Sequence, residues 1–254
     1  MKFVRFNKDG KEFFGRLSKD TIFYLDTPPW KGGKETGEYV NILEVDLLAP
    51  CKPKNIIGVA LNYPGIEGVS KSDEEPLIFL KSPSSVIGDK QNIISPFTNL
   101  QVWGEPELAI VLGPKLSKPV GEKLDVSIFG YTIANDVTCN NVNGRDHHLA
   151  RSKSADTFCV LGPLIDTEFK PGSQKIKGYQ DGILIREGYL SERIFGEIDI
   201  LNWLSRWLTL EAGDVVLTGT PSRVRDRMFL QDGSNFTCEI EGLGNINNSF
   251  SCLV

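Results

Sequence analysis

The chain has 254 residues, 24% of them charged and 40% hydrophobic, with 25 Gly, 14 Pro and a formal net charge of -5 at pH 7. That is ordinary globular composition for one large domain, or one with a small appendage, and it excludes the disordered and fibrous classes. No apolar run approaches the ~20 residues of a membrane helix, and an acidic chain without a dense basic patch is no general nucleic-acid binder, although locally clustered cations suit small anions.

The amino-terminal stretch through Phe14 lacks the apolar core and small-residue cleavage site of a secretion signal. Five scattered cysteines, with no Cys-x-x-Cys pair, then read as reduced thiols of a cytoplasmic protein rather than a disulfide or zinc framework. Only two histidines exist, His147 and His148, so a His-rich metal site is excluded and a Ser-His-Asp hydrolase would have to use one of these two.

In chain order, Lys2–Phe6, Glu12–Leu17 and Thr21–Leu25 read as short strands separated by Lys8-Asp9-Gly10 and Ser18-Lys19-Asp20, which is turn chemistry. They define a small β unit over residues 1–50. A Pro/Gly-rich stretch, 27–37, reads as a long loop. Cys51-Lys-Pro-Lys-Asn55 opens a second unit, 51–254, built on short apolar runs at Ile56–Leu61, Leu77–Leu80, Leu108–Leu112, Ile128–Ala134, Val215–Leu217 and Phe236–Ile240. Their β-branched and aromatic content, bounded by Gly, Pro, Asn or Asp, predicts strands. One helix is predicted over Ile198–Leu208, with Ile198, Leu201, Leu204 and Leu208 in its apolar stripe and Trp207 widening it, ending in the turn Glu211-Ala-Gly-Asp214. The expected class is a β-rich α+β domain.

Three stretches carry candidate chemistry. Glu105 and Glu107 sit two apart where an apolar strand begins, so both side chains share a face. Like charges so placed are either a solvated strand end or the oxygen ligands of a hard divalent ion. Asp136 closes the apolar run 128–136, as site acid or as turn punctuation, and the loop beyond it carries His147, His148, Arg151 and Lys153, a cationic density that is either solvated surface or a carboxylate clamp. Val215–Leu217 then runs into Thr218-Gly219-Thr220-Pro221, either a plain tight turn or a nest of hydroxyls and N–H groups for a small anion.

Seven motifs in one order resemble the fumarylacetoacetate hydrolase family, from about Lys54 to the carboxyl terminus: 57–63 (Ile-Gly-Val-Ala-Leu-Asn-Tyr), 79–85 (Phe-Leu-Lys-Ser-Pro-Ser-Ser), 105–109 (Glu-Pro-Glu-Leu-Ala), 130–136 (Gly-Tyr-Thr-Ile-Ala-Asn-Asp), 153–158 (Lys-Ser-Ala-Asp-Thr-Phe), 210–214 and 217–221. The resemblance implies a mixed β-sandwich roll, a homodimer, and Mg²⁺ or Mn²⁺ on Glu105, Glu107 and Asp136. It implies a small carboxylate substrate, a 2-oxo or 2-hydroxy-dienoic acid or diacid, that reacts through a metal-bound enolate. Lys153 matches the family's site lysine, Thr220 the turn residue at the substrate's carboxylate end, and Gly219, Asn143 and Lys81 complete the implied substrate contacts.

Departures from the family pattern bear on the reaction. The family's lid carries a His three residues after Asn-Tyr and a Glu soon after; here Ile66 takes the His position and Glu67, the remaining candidate acid–base group, is out of register behind Pro64-Gly65. A substrate-binding Arg is replaced by Asn140, its role passing to Arg145 or Arg151, and Arg223 adds a cation after the Thr-Pro turn. General-base help is worth ~10²–10⁴-fold, so loss of a water-activating His weighs most against hydrolysis. Isomerisation or tautomerisation is therefore the expected reaction, ahead of C–C hydrolysis or decarboxylation, with a non-catalytic metal or small-anion binder as the remaining reading.

Overall fold

The computed structural model describes residues 1–65, 75–96, 98–113, 127–141 and 144–253. The first fifty residues supply β1 (Lys2–Lys8), β2 (Lys11–Ser18), β3 (Thr21–Leu25), β4 (Glu35–Asn41) and β5 (Asp46–Leu48). Next come β6 (Ile56–Ala60), β7 (Leu77–Lys81), β8 (Val86–Ile87), β9 (Ile93–Ser95), β10 (Val102–Trp103), β11 (Pro106–Leu112), β12 (Ile128–Asp136) and β13 (Thr138–Cys139). A short helix α1 (Ala150–Ser154) leads to β14 (Cys159–Asp166), β15 (Lys175–Gln180) and β16 (Ile183–Tyr189), and α2 (Glu197–Ser205) leads to β17 (Val215–Leu217), β18 (Asn235–Ile240) and β19 (Gly244–Cys252).

Most strands join one large sheet in the order β4-β3-β2-β1-β14-β12-β11-β17-β6-β7, and a second sheet runs β16-β15-β18-β19-β9. The strand-rich, mixed-sheet architecture agrees with the β-rich class read from the sequence. Strand β11 sits near the middle, and all seven of its residues are buried. Its alternation explains how: Ala109 and Val111 pack with Cys51, Ile56 and Leu217 on one face. On the other, Ile110 and Leu112 pack against Ile200, Leu201 and Leu204 of α2, while Leu108 joins Phe236 and Ile240 of the second sheet. A strand covered on both faces reads as a continuous apolar run, as this one does.

Two local readings change. The loop expected over 27–37 is interrupted by a single 3-10 turn, Pro29–Lys31, and ends at β4, because Pro29 opens the turn and Gly32 closes it in the left-handed region. Helix α2 ends at Ser205, and its buried stripe is Ile200, Leu201 and Leu204. Ile198 and Trp207 are instead 45% and 53% exposed. The spacing of Ile198 fits the stripe, but the helix presents its 200–201–204 side to the sheet, and Trp207 meets Trp203 edge to face outside it. The turn after the helix forms as read: the Asp214 N–H donates to the Glu211 carbonyl at 3.0 Å, and the Glu211 N–H returns to Asp214 Oδ2 at 2.9 Å.

The amino-terminal unit is continuous with the main sheet. Strand β1 pairs with β14, Lys2 opposite Asp166 and Phe3 opposite Ile165. Phe3 and Trp30 both pack on Phe129 of β12, with ring centroids 5.4 and 6.0 Å apart. Among the described residues no helix is long and apolar enough to cross a membrane.

Candidate active site

Three carboxylates meet where β11 begins and β12 ends. Antiparallel pairing sets Glu107 opposite Ala134, and the Asp136 N–H donates to the Glu105 carbonyl at 2.9 Å, so Glu105 and Asp136 face each other across the ladder. Cross-strand partners project to one face, and residues two apart share it, which brings Glu105, Glu107 and Asp136 together. One carboxylate oxygen from each lies within 4.8 Å of the others. The Glu105 N–H is fixed by Asn135 Oδ1 at 2.9 Å, so the backbone leading into β11 is held as well as the strand itself.

Cations from three elements surround the cluster. Lys153 on α1 donates to Asp136 Oδ2, to Glu105 Oε2 at 2.9 Å and to Thr138 Oγ1 at 2.6 Å, with its ammonium 4.6 Å from the centre of the Phe79 ring. Lys81, at the end of β7, donates to Asp136 Oδ1 at 2.5 Å and to the Val137 carbonyl at 3.3 Å. Arg186 on β16 spans from Glu105 Oε1 at 2.9 Å to the Pro221 carbonyl at 2.7 Å, and Trp103 Nε1 also donates to Glu105 Oε1 at 2.9 Å.

The acids divide by these neighbours. Burial opposes ionisation of Glu105, but Lys153 and then Arg186 outweigh it and hold that carboxylate down at about 2. Glu107 is 2% exposed and accepts from the Gly219 N–H at 2.6 Å. Burial, then the charge of Asp136, pushes it well above the usual carboxylate range. Lys153 loses by burial but gains more from Asp136 and Glu105, so its ammonium is held above the ordinary lysine value. A buried carboxylate that neighbouring carboxylates keep from ionising is relieved by a cation placed among them. Three anionic oxygen donors at this spacing suit a hard divalent ion, and the donor set fits one.

The cluster forms the floor of a cleft of about 810 Å³, walled by Val59–Leu61 at the end of β6, by Phe79 and by the segment 222–227. The turn after β17 closes one side. Gly219 has φ +94°, and a Cβ there would lie 2.7 Å from Asn62 Cβ, so only glycine fits. Asn62 itself donates from Nδ2 to the Thr218 carbonyl at 2.8 Å, tying the ends of β6 and β17 together. The Thr218 hydroxyl bonds the Leu108 carbonyl at 2.9 Å, whereas the Thr220 hydroxyl oxygen is buried at the cleft without a hydrogen-bond partner among the described residues. A buried hydroxyl left open beside a cleft is where a ligand oxygen can be taken.

The positions singled out in the sequence sort as follows. Glu105, Glu107, Asp136, Lys153 and Thr220 converge on the cleft. Gly219 turns its N–H to Glu107 rather than into open space. Lys81, expected as a substrate contact, has a fully buried side chain engaged by Asp136 Oδ1 and is not among the described residues lining the cleft. Arg145 and Arg151 are not among the residues lining the cleft, where Arg186 and Arg223 stand instead. Glu67, Ile66 and Asn143 lie outside the described residues. His147 and His148 are exposed and line a separate depression with Leu77, Leu80 and Leu149.

Sequence reading missed Trp103 and Arg186. Trp103 continues the every-second-residue series of Glu105 and Glu107, so strand periodicity alone flags it. Arg186 carries no such signal: it lies in β16, eighty-one residues from Glu105, and only the β15–β16 hairpin delivers it.

Comparison with known proteins gives the family. Residues 55–251 match the Fumarylacetoacetate (FAA) hydrolase C-terminal family, and residues 1–50 match the Rv2993c-like N-terminal family. The chain is similar to the oxaloacetate tautomerase YisK of Bacillus subtilis (strain 168), 35% identical over 233 residues that span 86% of this chain and 77% of that protein. It superposes on 5-carboxymethyl-2-hydroxymuconate delta-isomerase from Mycobacterium smegmatis with a TM-score of 0.90 at 30% identity, covering 100% of both chains. With fumarylacetoacetate hydrolase from the psychrophilic Exiguobacterium antarcticum the TM-score is 0.85 at 29% identity, again over 100% of both. On the family match, these alignments and the shared fold, the chain belongs to the fumarylacetoacetate hydrolase family, whose members are isomerases, tautomerases and hydrolases, and it is an enzyme of that family.

Proposed function

We propose that the protein catalyses keto–enol tautomerisation of a short 2-oxo acid, oxaloacetate or a close analogue, with Mg²⁺ or Mn²⁺ held by Glu105, Glu107 and Asp136. The observation that carries this reading is the convergence of those three carboxylates to within 4.8 Å at the floor of a cleft from which both histidines stand apart. When bound, the dication supplies Lewis acidity toward the substrate's carboxylate and 2-oxo oxygens. The protein's part is to bind, orient and hold charge. Thr220 offers its open hydroxyl to the substrate carboxylate, and Lys153 presents a fixed ammonium beside the reacting oxygens. Arg186 and Trp103 lock the Glu105 carboxylate in place, which spares reorganisation during the reaction.

Tautomerisation moves one proton between C3 and the 2-oxo oxygen and consumes no water, so it needs no water-activating histidine. Similarity to a tautomerase and to an isomerase is in keeping with this reading. The test is a thermal-shift titration with EDTA, Mg²⁺ and Mn²⁺, with and without oxalate, followed by decay of the enol absorbance of oxaloacetate. Saturating oxalate is expected to raise the melting midpoint by about 5–10 °C only when metal is present, and enzyme with metal is expected to speed enol decay. Release of two acids from an acylpyruvate, or of CO₂ from oxaloacetate, at a rate matching enol decay would replace the tautomerase reading with hydrolysis or decarboxylation.

A further inference from the structure

Lys81 is a buried cation that the proposed reaction leaves without a task. Its side chain is wholly buried, as is that of Asp136, and its Nζ donates to Asp136 Oδ1 at 2.5 Å and to the Val137 carbonyl at 3.3 Å. Taking an ammonium and a carboxylate out of water costs about as much as their attraction returns, so a buried pair is poor evidence of stabilisation. What distinguishes this one is its partner, since Asp136 belongs to the three-carboxylate cluster.

Strand alternation delivers Lys81 to that place. Phe79 and Lys81 are buried on one face of β7, while Leu80 between them is exposed. The Phe79 ring carries the Lys153 ammonium 4.6 Å from its centre, and Lys81, two residues on, reaches Asp136. Pairing with β6 fixes the register, with Ile56 opposite Lys81. The Ser82 N–H donates to Ser154 Oγ at 3.0 Å, and that hydroxyl donates to the Leu80 carbonyl at 3.3 Å. Ser154 follows Lys153 in α1, so the backbones that carry the two lysines are tied to each other. Asp136 is thereby gripped twice, at Oδ1 by Lys81 and at Oδ2 by Lys153.

The two grips differ. Lys153 lines the cleft, and its ammonium is shared among Asp136, Glu105 and Thr138. Lys81 is not among the described residues lining the cleft, and Asp136 is the carboxylate that it engages. A group that turns toward a substrate oxygen cannot also be the fixed point for a metal ligand. We propose that Lys81 is a positioning residue, which holds Asp136 in place as a metal ligand independently of Lys153 and so leaves Lys153 free to serve the substrate. The inference rests on the metal-site reading of Glu105, Glu107 and Asp136, and it adds a division of labour between the two lysines. Groups that hydrogen-bond a ligating side chain are typically worth about 10–100-fold in metal affinity.

The test is Mn²⁺ binding to the full-length protein, followed by the electron paramagnetic resonance of the unbound ion, which requires no turnover. Lys81→Met, similar in length and without the ammonium, is expected to bind Mn²⁺ about 10–100-fold more weakly than wild type. Lys81→Gln, which keeps an N–H donor, guards against a Met variant that fails to fold, and it should lose less. Lys153→Met should bind Mn²⁺ no more weakly than wild type, yet no longer speed the enol decay of oxaloacetate. Wild-type Mn²⁺ affinity in the folded Lys81 variants, whatever their melting midpoints, reduces the contact to a structural ion pair and overturns the proposal. A loss of about tenfold or more in Lys153→Met overturns it as well, and this arm decides alone if neither Lys81 variant folds. In both cases the wild type still binds Mn²⁺ and the metal-site reading stands. A wild type that binds no Mn²⁺ removes that reading, and the role of Lys81 with it.

Discussion

Glu107, in β11, and Glu105, just before it, are two residues apart, yet their neighbours shift them in opposite directions. Glu105 is surrounded by Lys153, Arg186 and the Trp103 N–H, whereas Glu107 faces Asp136 with the Gly219 N–H as its donor. Glu107 is thus the position where negative charge is tolerated least without a cation. Glu107→Gln keeps an acceptor for Gly219 and removes the charge. This variant is expected to fold with a metal-free melting midpoint no lower than wild type, because the lost carboxylate was opposed by its neighbours. Its affinity for Mg²⁺ or Mn²⁺ should fall by roughly 100-fold or more, since even groups that only orient ligands are worth 10–100-fold. A thermal scan reads the midpoint and a calorimetric titration the affinity, and unchanged metal affinity in Glu107→Gln would remove the assigned cluster.

At the scale of an element, α1 is too short to be stable on propensity and is held by its surroundings. Asp146, just upstream, accepts from the Ser152 N–H and hydroxyl, each at 2.6 Å, and from the Arg151 N–H at 3.1 Å. Those donors are otherwise orphaned at a helix start. The next residue along is Lys153, whose ammonium reaches Asp136 and Glu105, so Asp146 positions the lysine without touching the cleft itself. Burial works against ionisation of Asp146, but the Ser152 and Arg151 bonds prevail and hold its pKa below the usual carboxylate value. A carboxylate with a depressed folded pKa stabilises fully above its unfolded value and loses that contribution as pH falls through the folded one. Asp146→Asn is therefore expected to lose about 1 kcal/mol at pH 7. The wild-type advantage should shrink as pH is lowered below about 4, as read by denaturant unfolding at several pH values. A merely structural role would leave kcat per folded enzyme intact, whereas the positioning role lowers it.

For the whole molecule, the question is whether the first fifty residues form an appendage. Strand β1 continues the main sheet through β14, Phe3 and Trp30 seat on Phe129, and Arg5 donates from Nε to the Ala49 carbonyl at 2.7 Å within the unit. Removing residues 1–50 would strip the β14 edge of its partner and uncover Phe129 and Leu164. Each large apolar group re-exposed costs about 1.5–3 kcal/mol, and an unpaired edge invites association. The fragment 51–254 is expected to be insoluble or to melt at least about 10 °C below the full chain. A monomeric fragment with the full-length midpoint would instead make the amino-terminal unit an independent domain.

Local chemistry was legible in the chain wherever it repeats at short range. The apolar runs read at 56–61, 108–112, 128–134 and 215–217 from β-branched content between Gly, Asn and Asp lie in strands 56–60, 106–112, 128–136 and 215–217, and the shared face of Glu105 and Glu107 follows from strand periodicity. Seven ordered motifs also sufficed to indicate the family. Partners far apart in sequence were a different matter. Arg186 reaches Glu105 because a hairpin registers it there, Lys81 at the end of β7 is taken up by Asp136, fifty-five residues away, and Ile198 turns outward because α2 meets the sheet through Ile200, Leu201 and Leu204. Likewise, only the bridge to β16 and the Trp103 ring bring the exposed Arg223 and Arg227 to the mouth of the same cleft. Periodicity and turn chemistry are properties of neighbouring residues and are written in the sequence. Strand register, helix facing and the charge around a buried group depend on which distant segments pack together, and the tertiary structure decided those.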